Sequence, residues 1–180
     1  MSHSESWNKL KTQITNKAVV HGKVILSSGK EANYYVDLRR VTLDSEAAPL
    51  VGEVMLELTK DFDFEAVGGL TLGADPVATA MMHIAAKRGQ KLNSFVVRKS
   101  EKAHGLQRRI EGPDVKGKQV LAVEDTSTTG GSVLTAVEAL RAEGAIVVAV
   151  AVIVERGAKA AIESAGLPYL AAYSLSDLGL

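Results

Sequence analysis

The sequence predicts an α/β fold: an open, mainly parallel β-sheet flanked by helices, with a small β-rich hood near the N terminus. Three observations carry this. Helical and strand patterns alternate along most of the chain after residue 45. Two strand patterns, Val120-Leu121-Ala122-Val123 and residues 147–153, are apolar almost without interruption, and two β-rich runs before residue 40 are joined by a turn-rich stretch. Parallel strands covered by helices on both faces read as continuous apolar runs, whereas strands wetted on one face alternate.

Taken in order, Trp7, Leu10 and Ile14 recur at helical spacing within residues 7–20, with Ser6 placed as a cap, so an amphipathic helix is expected there. Residues 24–26 and 34–38 are β-rich and flank Ser27-Ser28-Gly29-Lys30-Glu31-Ala32-Asn33. That connection predicts a hairpin outside the parallel sheet, a hood formed mainly by residues 20–40. The pattern then runs helix (45–60), strand (66–69), helix (76–87), strand (93–97) and a charged loop. It continues as strand (119–123), helix (131–143), strand (145–153), helix (158–165) and a short strand near Tyr169. Asp75 and Pro76 suit the cap and first turn of the helix at 76–87. The length of 180 residues and hydrophobic content of 46% fit one domain, residues 1–180, with a sizeable core.

Composition narrows the chemistry. Lysine plus arginine (21) balance aspartate plus glutamate (21), so no summed positive field draws nucleic acid or an anionic membrane from a distance. Any anion is held by a local cluster. Cysteine is absent, which excludes disulfides, thiolate metal sites and a cysteine nucleophile and fits a reducing compartment. The opening segment has no apolar signal core, and no later apolar run approaches the roughly 20 residues that span a bilayer. A cytoplasmic protein without nucleic-acid or membrane partners is expected.

In open α/β sheets ligands sit beyond the carboxyl ends of the strands, so the segments after Gly69, Val97, Val123 and Val154 should converge on one crevice. After Val123 come Glu124, Asp125, Thr126, Ser127, Thr128, Thr129, Gly130, Gly131 and Ser132, then a helix pattern. A phosphate needs close backbone N–H groups, hydroxyl donors and a helix N terminus, and this turn offers all three. The two carboxylates suit vicinal hydroxyls, which a ribose presents beside its 5′-phosphate. A bare Thr-Gly-Gly-Ser turn is equally a helix cap. No lysine follows the glycines and no GxGxxG occurs, so the two commonest nucleotide loops are excluded.

The thirteen residues from Val120 to Ser132 resemble the binding motif for 5-phosphoribosyl 1-pyrophosphate (PRPP) of the type I phosphoribosyltransferases. The resemblance implies the fold of that family. It also implies that Glu124 and Asp125 hold the ribose 2′- and 3′-hydroxyls, while residues Thr126 through Ser132 wrap the 5′-phosphate.

Arg98, Lys99, Lys102 and His104 follow the strand at 93–97. Such a run is as often a solvated charged loop. A leaving pyrophosphate, however, needs cations where its charge develops, and a mobile basic lid meets that need. The string from Val97 to Gly105 is similar to the flexible loop of the orotate branch of the family. That likeness implies that Arg98, Lys99, Lys102 and His104 contact PRPP, with Lys99, Lys102 and His104 taking the catalytic part. It also implies a homodimer in which the loop reaches the partner's site. Magnesium is expected on the substrate phosphates rather than in an all-protein metal site.

The hood residues Tyr34 and Tyr35 resemble the aromatic pair that covers orotate in this branch, though two hairpin tyrosines can also simply pack. Arg156, after the strand ending at Val154, matches the branch's orotate-binding arginine, and Thr128 a second orotate contact. An arginine fork suits a carboxylate better than the point charge of lysine. Ser27 stands where members often carry lysine, and Leu72-Gly73 where many carry Tyr-Lys. A purine-specific relative would share the cradle but lack the hood and the Lys-x-x-Lys-x-His loop. A non-catalytic regulator on this fold would need an added nucleic-acid surface, and this chain shows none.

Overall fold

The structure, a computed structural model, describes residues 3–25, 31–100 and 109–180. Helix α1 (Glu5–Gln13) starts earlier than the apolar spacing suggests, because Ser4 and not Ser6 is its cap. The Ser4 hydroxyl accepts the Trp7 N–H at 3.2 Å, a bond of the kind that contributes ~1 kcal/mol. Ser6 instead donates to the Glu53 carboxylate. Leu10 and Ile14 are fully buried as expected, and the Trp7 indole donates to Ala172 O at 2.9 Å, tying the first helix to the end of the chain. The helix does not reach residue 20. Residues Ile14–Ala18 form a π-helical turn, and the β-branched Val19 and Val20 open strand β1 (Val19–Ile25).

Strand β1 pairs antiparallel with β2 (Glu31–Val36), with His21 opposite Tyr34 and Val19 opposite Val36, in a ribbon separate from the main sheet. Most of the connecting turn, including Ser27, lies outside the described residues. The chain returns through the short helix α2 (Arg39–Thr42) into α3 (Ala47–Leu58). Asp44 accepts the N–H groups of Glu46 and Ala47 at the start of α3 and pairs with Lys17 at 2.9 Å, which fastens the hood's entry to the body.

The main sheet comprises β3 (Ala66–Leu70), β4 (Asn93–Val97), β5 (Ile110–Glu111), β6 (Gln119–Ser127), β7 (Ile146–Glu155) and β8 (Tyr169–Tyr173). Their order is β5-β4-β3-β6-β7-β8, parallel apart from β5 at one edge. Helices α4 (Ala74–Lys87), α5 (Gly131–Ala142) and α6 (Lys159–Ser164) make the crossovers. Alternate residues of the apolar strands feed two cores. Leu121, Val123, Ala149, Ala151 and Ile153 pack with α1, α3 and α4 residues, while Val120, Ala122, Val150 and Val152 pack with α5 and α6 residues. Each fully buried valine, leucine or isoleucine stabilises the fold by roughly 1.5–3 kcal/mol, so continuous apolar strands are what a two-sided sheet requires.

Three further elements differ from expectation. Helix α4 begins at Ala74, so Asp75 is inside its first turn and not its cap. Strand β6 runs four residues past Val123, carried by its pairing with β7. The charged loop after β4 is the connection of a hairpin, because Ile110 and Glu111 pair back onto Val97 and Val96. Among the described residues, no helix is long and apolar enough to cross a membrane.

Candidate active site

The chain leaves β3 for β4 on one side and later crosses back to β6 on the other, so the connections after β3 and β6 diverge. A crevice at the carboxyl ends is the physical result. Strand β6 stays paired with β7 as far as Ser127 opposite Glu155, but it parts from β3 after Ala122 opposite Gly68. A cavity of about 300 Å³ opens in that gap.

Glu124 and Asp125 line the cavity from the extended end of β6, on a strand and not in the loop where the sequence put them. Backbone groups hold both: the Asp125 N–H donates to Glu124 Oε1 at 3.2 Å, and the Thr126 N–H donates to Asp125 Oδ1 at 2.7 Å. Burial pushes the Glu124 carboxyl well above its usual range, and the neighbouring Asp125 adds to the rise. Burial also raises Asp125, partly offset by the Thr126 N–H, Glu124 and the charge of Arg39. A buried and a half-buried carboxyl in contact are unstable as a pair of bare anions, and hydroxyl donors or a divalent cation relieve them.

Opposite the pair stands Gly73, in the turn between β3 and α4, where the Thr71–Leu72 peptide is cis. A Cβ at Gly73 would press on the ends of the Glu124 and Asp125 side chains, which would have to swing aside to admit it. The Thr71 hydroxyl donates to Asp75 Oδ2 at 2.6 Å, which is where the expected cap residue spends its carboxylate.

Beyond the acids, Thr126 and Ser132 also line the cavity, and Thr128 and Thr129 are exposed. Gly130 adopts a left-handed conformation (φ +80°) that delivers the chain into α5 at Gly131. No side chain caps that helix beyond a long bond, at 3.4 Å, from the Gly131 N–H to Thr129 Oγ1. An open N terminus on a twelve-residue helix, preceded by hydroxyls, is an anion site.

Of the basic residues, Lys99 lines the cavity and Arg98 does not. Arg98 pairs with Glu111 at 3.5 Å, and the Arg109 guanidinium donates to the carbonyls of Arg98 and Lys99, so the hairpin fixes the base of the loop. Lys102 and His104 lie outside the described residues. Of the two tyrosines, Tyr35 lines the cavity and is 37% exposed, while Tyr34 packs against the core. Arg156 and Thr128 are not among the cavity's walls, but they are neighbours: the Arg156 N–H donates to Ser127 O at 3.0 Å, and Gly157 closes against the Thr128 carbonyl. Asp37, which closes the hood segment Tyr34-Tyr35-Val36-Asp37, and Arg39, which no motif marked, also line the cavity. The only signal of Arg39 in the sequence is charge placed just after the second hood strand.

A family model described as phosphoribosyl transferase domain matches residues 41–166. An orotate phosphoribosyltransferase of Streptomyces avermitilis is 70% identical over 171 residues, covering 93% of this chain and 94% of the relative. The chain belongs to the orotate phosphoribosyltransferase family. Among solved structures, orotate phosphoribosyltransferase of Mycobacterium tuberculosis in complex with Fe(III) dicitrate is similar at a TM-score of 0.89 and 56% identity, covering 97% of this chain and 99% of that one. The same enzyme in complex with PRPP is similar at a TM-score of 0.85 and 50% identity, with coverage of 97% and 99%. The family and fold expected from the Val120–Ser132 motif therefore hold, as does the orotate branch expected from the loop after β4.

Proposed function

We propose that this protein transfers the 5-phosphoribosyl group of PRPP to orotate, releasing pyrophosphate and giving orotidine 5′-monophosphate, a step in making pyrimidine nucleotides. The observation that carries the reading is the Glu124–Asp125 pair at the β3/β6 switch point, Glu124 buried and Asp125 half-buried, with the open N terminus of α5 just beyond it. The relatives' shared name supports orotate as the acceptor.

In this reading the ribose hydroxyls donate to Glu124 and Asp125, and the 5′-phosphate takes the donors of Thr126, Ser127, Thr128, Thr129, Gly130, Gly131 and Ser132. Orotate lies under Tyr35, with Arg156 and Thr128 meeting its carboxylate edge. Its ring nitrogen bonds to C1 and its proton passes to the departing pyrophosphate, which takes the electron pair of the C1–O bond as that bond breaks. Lys99, with Arg98, Lys102 and His104 of the same loop, compensates the charge that builds there. Holding both substrates in line supplies much of the rate.

Among the described residues, no cluster of three or more histidine, aspartate or glutamate side chains stands close enough to hold a metal. The oxygens of Glu124 and Asp125 fit a hard cation shared with substrate phosphates and water, and magnesium so held would neutralise charge on the diphosphate.

A homodimer belongs to the same proposal. An apolar cavity of about 590 Å³ between α3 and α4 is walled by Leu43, Pro49, Leu72 and Pro76, with Leu43 69% and Leu72 57% exposed. Leu72 also lines the active-site cavity, so a second copy seated on this face sits beside the site.

The test is loss of orotate absorbance with PRPP and magnesium, compared between wild type and Lys102→Ala. The reading requires turnover in wild type that slows sharply in the variant; turnover of adenine or hypoxanthine in place of orotate overturns it.

A further inference from the structure

We propose that Arg39 binds the diphosphate arm of the phosphoribosyl donor, and that its ion pair with Asp37 is the resting arrangement this arm displaces. The inference deepens the reading above and rests on it for the identity of the donor.

Arg39 opens α2, where the hood returns to the body, and lines the cavity together with Gly73, Lys99 and the carboxylate pair. Its Nε donates to Asp37 Oδ1 at 2.8 Å, and among the described residues its two terminal nitrogens have no hydrogen-bond partner. A guanidinium engaged only through Nε keeps a free two-nitrogen edge, and that edge matches a pair of phosphate oxygens.

The donor carries a monophosphate at one end and a diphosphate at the other. With the monophosphate on the α5 N terminus and the ribose hydroxyls on Glu124 and Asp125, the diphosphate must lie past the acids. The wall there consists of the Gly73 turn, the hood return and Lys99. Gly73 brings no side chain, so among the described residues Arg39 and Lys99 are the cations that line this cavity. Its charge already reaches the site: burial raises the Asp125 carboxyl, and Arg39 is among the groups that draw it back. Asp37, Glu124 and Asp125 would repel a polyanion, which makes a cation on this wall necessary and not incidental.

The experiment titrates the full chain with inorganic pyrophosphate in magnesium by calorimetry, for wild type, Arg39→Ala, Arg39→Lys and Asp37→Asn, and measures KM for each substrate. Arg39→Ala should weaken pyrophosphate binding and raise the KM for PRPP by about tenfold or more, leaving the KM for orotate within about twofold, as expected for a lost charge-assisted contact. Arg39→Lys should recover part of the loss, which a purely structural role would not require, and Asp37→Asn should bind pyrophosphate at least as tightly as wild type. A pyrophosphate loss in Arg39→Ala under about fivefold, or a change confined to orotate, overturns the proposal. Weakening by Asp37→Asn overturns the displacement. If pyrophosphate binding depends on Arg39 while wild type turns over no orotate, the acceptor assignment fails and this inference stands.

Discussion

The Tyr169 hydroxyl donates to one carboxylate oxygen of Glu155, and the other oxygen accepts the Gly157 N–H at 2.5 Å. Glu155 thus bolts the turn that carries Arg156 to β8, while the Arg156 N–H bonds Ser127 O on the other side. Burial, and then the bond to Glu155, pushes the Tyr169 phenol far above its usual range, so it remains a donor at any working pH. Removing it in Tyr169→Phe should cost about 1–2 kcal/mol of stability and loosen the Arg156 turn. Steady-state kinetics should then show the KM for orotate rising about fivefold with that for PRPP nearly unchanged. Equal effects on both substrates would mean that the bond serves stability alone.

Glu124 gives a pH prediction with a definite sign. Burial, then the charge of Asp125, raises its carboxyl from 4.5 to about 8. The folded protein therefore keeps a proton that the unfolded chain releases, and stability falls as pH rises through that window, by at most about 1.4 kcal/mol per pH unit. Glu124→Gln cannot titrate. Its ligand-free melting temperature should be higher than wild type near pH 8 and flatter with pH, although PRPP binding is weakened about tenfold or more. A wild-type melting temperature that rises between about pH 5 and about pH 8 would contradict this sign.

Gly73 offers a test that leaves the backbone alone. Its dihedrals (φ −61°, ψ −40°) are ordinary for alanine, so Gly73→Ala adds only a methyl group against the Glu124 and Asp125 carboxylates. We expect the carboxylates to give way at a modest cost, with turnover dropping by about tenfold at most and circular dichroism unchanged. A loss of about a hundredfold in the variant would show that the two side chains are held where they stand.

The apolar face between α3 and α4 carries the dimer prediction. Leu43→Glu places a charge on a surface leucine that is 69% exposed in the single chain, so local stability should change little. Sedimentation should show the wild type as a dimer and the variant shifted to monomer with reduced turnover. A variant that stays dimeric moves the interface elsewhere.

What the sequence made legible was set by local pattern, and what it hid was set by tertiary placement. The run at 147–153 announces a two-sided strand because burial on both faces leaves no polar position, and β7 follows. Glu124 and Asp125 were readable as a ribose-phosphate motif, yet their polarity disguised the continuation of β6, which exists because Val152 and Val154 of β7 pair beside them. Strand β5 is two residues long and has no periodicity to detect. Ser4 out-competed Ser6 as a cap because Ser6 is used by Glu53, a partner 47 residues away. Tyr34 and Tyr35 are adjacent, and the alternation of a strand separates them, one toward the core and one toward the cavity. Arg39 and Tyr169 gain their importance only from what the fold brings to them.

The most direct measurement of the central claim is product analysis. Wild-type protein is incubated with PRPP, magnesium and an equimolar mixture of orotate, adenine and hypoxanthine, alongside a Glu124→Gln/Asp125→Asn double variant, and nucleotides and pyrophosphate are quantified by mass spectrometry and phosphorus NMR. The account requires orotidine 5′-monophosphate as the sole nucleotide, formed mole for mole with pyrophosphate by the wild type and hardly at all by the double variant. A purine nucleotide, or undiminished product from the double variant, would contradict it.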